Sequence, residues 1–466
     1  MSDLLHLLTT APGIGKVSLE SNELSAHQTD WWPIATKWKL EGRTLPSPLA
    51  VIYPESVEEV VSLLEFANTH NLKLVPYGLG SGVVGGAMAV QGAITVNTSR
   101  MNKIIALDEL SMVVTVQAGL RGSELETYLN ARGYTTGHYP QSLSLSSVGG
   151  WLATRASGTF SAKFGNIEDI VVGLVAVAGN GKKIVVTPSP RKSAGPDIAE
   201  LLLGSEGTLA FICEITLAIY PLQQNRPLAA YSFPDVATGL VAIRKLAQSD
   251  FCPALVRLND VAGSQKFMQF GIEKGSCVLV LSWDGPSEVV ETSMNLTHKL
   301  LVTSGGTKLE SKVAGYWFDN RFNVSHLEEA IATPGRIADT TEMSCLWKDS
   351  EAIHHAITEL FVKHDISATC HFSHVYHTGT SLYWTYHFAD EHLEKIEERY
   401  FTIWNELMRV TLAHNGAISH HHGLGTVRAK WLALASPSTT FVLEALKQEF
   451  DPKGLLNPGR LGLSKL

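Results

Sequence analysis

The sequence contains no run of about 20 apolar residues, the length a helix needs to cross a hydrocarbon core. A transmembrane span is therefore not expected. Cysteine is scarce: five residues, Cys213, Cys252, Cys277, Cys345 and Cys370, stand far apart with no CxxC pair. That argues against a disulfide scaffold or a zinc ribbon and fits free thiols. Charge is sparse as well, with 18% charged residues, a net charge of -8 and no Lys/Arg-rich stripe. Nucleic acid, which demands a concentrated basic footprint, is not an expected partner. Internal repeats and low-complexity linkers are absent, and residues 1–10 lack the basic and cleavage features of a leader. What remains is a 466-residue chain, 45% hydrophobic, long enough for two or three domains with a large buried core. Its last residues, Ser464-Lys465-Leu466, match a receptor-read peroxisomal address. A peroxisomal location is expected from a eukaryotic source, a cytoplasmic one from a bacterial source.

Periodicity then divides the chain. Leu49 to Tyr53 reads as a strand, and Ser56-Val57-Glu58-Glu59 as a capping box opening a helix with Val57, Val60, Val61, Leu64 and Ala67 near one face. Leu72 to Pro76 reads as the next strand and Ser123 to Ala131 as another capped helix. Val171 to Ala178 and Lys183 to Val186 flank Asn180-Gly181, a strong hairpin signal. Leu209 to Tyr220 is a strand ending at Pro221, after which strands alternate with longer amphipathic helices such as Glu391 to His414. These signals place a nucleotide-type domain at 1–222, a cap domain at 223–412 and a C-terminal return at 413–466.

The glycines carry the first chemical signal. Gly80-Ser81-Gly82-Val83-Val84-Gly85 matches GxGxxG. A dinucleotide-binding Rossmann turn would need a helix directly afterwards. Here Gln91-Gly92 and a short strand follow, so that reading fails. The loop Gly78 to Gly86 can still cradle a pyrophosphate with backbone N–H groups unobstructed by Cβ atoms. Similar small-residue loops recur at Pro140-Gln141-Ser142, Ser146 to Gly150, Ala156-Ser157-Gly158, Gly165 to Asp169 and Gly204 to Leu209. A broad, flat cofactor needs this kind of close backbone approach from several loops.

Imidazoles carry the second. His420, His421 and His422 precede Gly423-Leu424-Gly425. If the segment is extended, His420 and His422 share one face and His421 points away. Such side chains suit proton transfer near neutral pH. A second cluster, His371, His374, Tyr376 and His377 leading to Tyr383, reads as the lining of a pocket.

From Pro48 to Pro221 the order and spacing of these loops resemble the FAD-binding domain of the vanillyl-alcohol-oxidase (PCMH-type) superfamily. The resemblance implies an α+β fold: a two-subdomain FAD-binding domain plus a cap with an antiparallel sheet and flanking helices. It implies FAD, one per chain, and the loop Gly78 to Gly86 offers no His or Cys for covalent attachment, so noncovalent binding is expected. Cofactor contacts are expected from Pro76, Gly78, Leu79, Gly80, Ser81, Gly82, Val83, Pro140, Ser142, Ser146, Ser147, Gly149, Gly150, Thr154, Ser157, Gly158, Glu206, Gly207 and Ile212, the last few on the adenine side. Gly137-His138 through Gly158, Gly165 to Asp169, Ala338 to Trp347 and the triple histidine resemble the alkylglycerone-phosphate synthase family. That family exchanges the acyl group of acyl-dihydroxyacetone phosphate for a fatty alcohol in ether-lipid synthesis. Catalytic roles are then implied for His420, His421, His422, Tyr383 and Arg257, with no metal. Where that family grips phosphate with an arginine, this sequence has Glu328, with Arg321 nearby as a substitute. The alternative reading is a FAD-dependent D-2-hydroxyacid dehydrogenase, whose characteristic ending resembles Asp451 to Arg460. A third is a flavin-binding protein without turnover. The expected partners are a small-molecule or lipid-like substrate, with peripheral membrane contact and a homodimer allowed.

Overall fold

The computed structural model describes residues 2–463; Ser464-Lys465-Leu466, the expected peroxisomal address, lie outside the described residues. The β-α-β start forms as its periodicity predicts. Val51–Tyr53 and Leu74–Tyr77 pair in parallel with the central Ile94–Asn97, and Lys16–Ser18 adds an antiparallel edge. Helix Val57–His70 starts at Ser56, whose hydroxyl accepts from Glu59 N. The Glu59 carboxylate accepts from Glu55 N at 2.8 Å rather than from Ser56, so the box closes one residue early. Leu63, rather than Val61, completes the buried face, and Asn71, at φ 52°, ends the helix in the left-handed region. No helix follows the glycine loop; the chain runs from it directly into Ile94–Asn97.

A second sheet, antiparallel, has the order Ile104–Asp108, Val113–Gln117, Ala210–Ala218, Val171–Ala178, Lys183–Val186. Its last two strands are the hairpin signalled by Asn180-Gly181, with Val177 opposite Lys183. Helix Gly122–Asn130 packs beneath it without the side-chain cap the sequence suggested at Ser123, because the helix begins one residue earlier, after Arg121.

After Tyr220–Pro221 the chain builds a seven-stranded antiparallel sheet. Its order is Thr307–Lys308, Leu228–Phe233, Cys277–Ser282, Leu255–Asn259, Ser367–Ser373, Gly379–Ala389, Arg336–Leu346. Alternation sorts its two faces. Val256, Leu258, Cys370, Phe372, Leu382, Trp384 and Tyr386 pack against helices Val236–Ala247, Ser350–Lys363 and Leu393–Ala413. The intervening positions Leu255, Arg257, His371, Ser373 and Tyr383 line a cavity on the opposite face. Among the described residues, no helix is long and apolar enough to cross a membrane.

The tail returns to the first sheet. Leu74 N donates to Leu455 O, and Asn457 N donates to Leu74 O, both at 2.8 Å. This docking rests on a buried pair: Lys447 donates to Asp451 at 2.6 Å and to the carbonyls of Thr208 and Leu456, while Asp451 accepts from Leu455 N and Leu456 N. Asp451→Ala strands a buried ammonium and two N–H groups, and is expected to cost about 3–5 kcal/mol in denaturant unfolding. A loss below about 1 kcal/mol, the range of surface pairs, would show that the pair is not structural.

Candidate active site

One continuous cavity of roughly 440 Å³, a size typical of ligand sites, lies between the glycine loops and the cap sheet. All nineteen positions expected to contact the cofactor line it: Pro76 with Gly78 to Val83, Pro140, Ser142, Ser146, Ser147, Gly149, Gly150, Thr154, Ser157, Gly158, Glu206, Gly207 and Ile212. Four of the five expected catalytic residues, Arg257, Tyr383, His421 and His422, line it from the other side. The glycines here are required by space. Gly80 sits at φ 72°, and a Cβ there would run into the Tyr77 hydroxyl. A Cβ at Gly149 would lie 2.7 Å from that of Ala118. Backbone is thus brought to the cavity wall where side chains cannot fit, which suits a flat, extended cofactor.

Strand register sets one row of the site. His371 pairs with Tyr383, and Tyr383 with Glu342, so three adjacent strands place these side chains in one line on one face. Glu342 is fully buried beside Arg428, which donates to both its oxygens at 3.0 and 3.1 Å. The same carboxylate accepts from the backbone N–H of His420 at 3.1 Å, His421 at 3.3 Å and His422 at 2.7 Å, and from Ser419 Oγ at 3.0 Å. At the other end of the turn, Glu206 accepts from Leu424 N at 2.5 Å and Gly425 N at 2.9 Å. Gly425, at φ 50°, lies against Val84 O of the glycine loop, with no room for a side chain. Two buried carboxylates therefore clamp residues 419–425 between the cap sheet and the glycine loop.

This clamp overturns the extended geometry expected for the triple histidine. After one bridge, Ala417 N to Ser344 O, the chain leaves strand register and curls around Glu342. His421 and His422 consequently face the cavity, while His420 turns away from it. His420 Nε2 lies 2.6 Å from the Tyr376 hydroxyl, and its Nδ1 lies 2.8 Å from His421 Nδ1. Glu206, expected on the adenine side, does line the cavity, but its carboxylate holds the Leu424-Gly425 turn.

Burial holds every imidazole here neutral. It lowers His420 and His422 to about 4 and drives His371, His374 and His421 well below the ordinary histidine value. Burial also pushes the Tyr383 hydroxyl up to about 12 and brings the Arg257 guanidinium down to about 10. Arg257 Nε is buried without a hydrogen-bond partner, and the guanidinium stacks 5.2 Å over Trp317. His374 stacks on His420 at 5.1 Å and adopts φ 50°, a strained conformation for a side chain of this kind. Among the described residues, no three His, Cys, Asp or Glu side chains group as metal ligands. Glu342 and Arg428 carry much of this geometry and were not among the expected site residues; Tyr376 and His377, expected to line the pocket with His371 and His374, do not, and Tyr376 reaches His420 instead. The detectable signals were an acid at a position alternating with the buried Met343 and an arginine between Val427 and Ala429 in an apolar stretch.

Although burial alone would raise Glu342, Arg428 and the donors around it hold the carboxyl at about 2, below its ordinary 4.5. Its stabilisation is complete above the unfolded value and drains away as pH falls from 4.5 toward 2. Glu342→Gln should cost about 3–5 kcal/mol at neutral pH. In urea titrations run across pH, the gap from wild type should narrow below the unfolded value. A gap that stays constant down to acid pH would contradict the ion-pair account.

Comparison with known proteins identifies the family. Residues 48–187 match the FAD binding domain model, and residues 222–461 match the model for the C-terminal domain of FAD linked oxidases. The chain is 34% identical over 435 residues to the uncharacterized FAD-linked oxidoreductase YgcU of Escherichia coli (strain K12), covering 90% of each. It is 29% identical to the alkyldihydroxyacetonephosphate synthase of Caenorhabditis elegans, covering 90% of this chain and 77% of that one. In fold it matches a solved alkyldihydroxyacetonephosphate synthase with TM-score 0.83 at 24% identity, covering 99% of this chain and 86% of the other. The glycine cradle and the two matched domains together make this chain a member of the FAD-linked oxidase family, a PCMH-type flavoprotein whose cofactor is FAD.

Proposed function

We propose that this chain is a FAD-dependent enzyme of the alkylglycerone-phosphate synthase kind, exchanging the acyl group of an acyl-dihydroxyacetone phosphate for a fatty alcohol without net oxidation. One observation carries the reading. Beyond the glycine loops, the cavity joins the buried guanidinium of Arg257 to an apolar wall of Trp317, Phe322, Val324, Leu327 and Ile331. That combination suits an amphiphile with an anionic head and a long apolar chain. FAD, when bound, supplies a ring able to take and return an electron pair at the substrate carbon. The protein's part is then to seat the head on Arg257, keep water from the reacting carbon, and set the donors and acceptors of His421, His422 and Tyr383 around it.

A second reading, oxidation of a D-2-hydroxyacid, is favoured by Glu328. It lines the cavity where the synthase resemblance implies an arginine, and a carboxylate there opposes a phosphate. A paired assay separates the two. One arm supplies acyl-dihydroxyacetone phosphate and a long-chain alcohol with no electron acceptor. The other supplies D-2-hydroxyacids with an artificial acceptor. The proposal expects ether product in the first arm, with His421→Ala, His422→Ala and Tyr383→Phe retaining FAD but losing about two to four orders of magnitude in rate. Acceptor reduction without ether product would replace it by the second reading. Variants that turn over like wild type would place the chemistry elsewhere.

A further inference from the structure

The Tyr376–His420–His421 chain has a direction, and that direction decides what His421 offers to a substrate. Tyr376 belongs to the loop between two cap strands, anchored by Tyr376 N to Gly379 O at 2.8 Å and by Trp347 Nε1 to Tyr376 O at 3.1 Å. Its hydroxyl accepts from Asn166 Nδ2 at 2.9 Å. Asn166 sits in the Gly165 to Asp169 loop on the cofactor side, where its own N–H donates to Asp169 at 2.8 Å. With its acceptor site taken by the amide, the phenol directs its O–H to its other partner, His420 Nε2, at 2.6 Å. A neutral imidazole that accepts at Nε2 carries its proton on Nδ1. His420 Nδ1–H then donates to His421 Nδ1 at 2.8 Å. His421, accepting at Nδ1, must carry its own proton on Nε2, the nitrogen left without a protein partner on the cavity-lining ring.

We infer that Asn166 and Tyr376 are positioning residues that lock His421, through His420, as the Nε2–H tautomer, so that it presents a hydrogen-bond donor rather than a base to the cavity. The inference rests on the reading that substrate reacts in this cavity. It assigns the reaction to a class in which a substrate oxygen gains negative charge, since a neutral imidazole N–H stabilises such an oxygen without itself giving up a full proton. The base is then His422. Its Nδ1 lies 3.6 Å from Glu342 Oε1 and has no hydrogen-bond partner of its own. Burial supports the assignment by keeping the linked rings neutral, since an imidazolium would donate from both nitrogens and erase the direction.

Nitrogen-15 NMR of the histidine-labelled FAD holoenzyme reads the tautomers directly, with no substrate needed. His421→Gln assigns the signal. Wild type should show His421 as one tautomer, protonated at Nε2. Tyr376→Phe removes the director and should give His421 as a mixture. Asn166→Asp is the sharper variant, and guards against a Tyr376→Phe protein that folds poorly. A carboxylate only accepts, so the phenol O–H turns toward it, His420 donates from Nε2, and His421 flips to Nδ1–H. Turnover in whichever arm of the paired assay is active should then fall about 10²–10³-fold, the usual loss for one such donor, with flavin content unchanged. Wild-type His421 protonated at Nδ1, or one tautomer shared by all three proteins, would overturn the inference. The tautomer pattern holding while neither assay arm turns over would instead count against the proposed function alone.

Discussion

Burying a carboxylate and a guanidinium together costs several kcal/mol per ion unless nearly every lone pair and N–H is met. Glu342 and Arg428, each with a side-chain exposure of 0%, come close to that condition. Arg428 also reaches Ser419 Oγ, Gly423 O and Thr341 Oγ1, and Glu342 collects three consecutive backbone N–H groups. Those N–H groups belong to the three histidines, so the pair fixes the backbone from which all three rings project. Had the segment stayed extended, alternation would have turned His421 away from the cavity. The ion pair is the reason it faces inward.

A second consequence follows from depth. A site this far from water cannot hold many charges, and the histidines respond by staying neutral. Neutral rings donate from one nitrogen and accept at the other, so hydrogen-bond direction becomes information that a cluster of imidazolium ions would lack. Arg257 keeps its charge, which suits the recognition of an anion more than proton traffic. The proposed function divides its chemistry and its recognition between these neutral and cationic side chains.

The cofactor side was largely legible in the sequence because its determinants are local. The Gly80 turn against Tyr77, the Asn180-Gly181 turn and the Ser56 cap all act within a few residues, whereas Gly149 fits against Ala118 from farther back along the chain. The missing helix after Gly85 could be read the same way, from Gln91-Gly92 and the strand behind it. The cap side of the site was only half legible. Tyr383, Arg257 and the histidines could be named, but their orientation depends on partners far along the chain. The acid that curls the histidine turn lies 78 residues before His420, and the amide that directs Tyr376 lies 210 residues before it. No periodicity spans such distances; only strand register and tail docking bring these groups together.

The central proposal is that the Glu342-anchored turn presents His421 and His422 to the ring of FAD. A crystal structure of the FAD-loaded protein tests it most directly. The account predicts the isoalloxazine ring between the Ser147–Gly158 loops and the cap sheet, with His421 and His422 facing it and Glu342 still bound to the three histidine N–H groups. A flavin ring seated away from the histidines, or a turn released from Glu342 once FAD is bound, would contradict it.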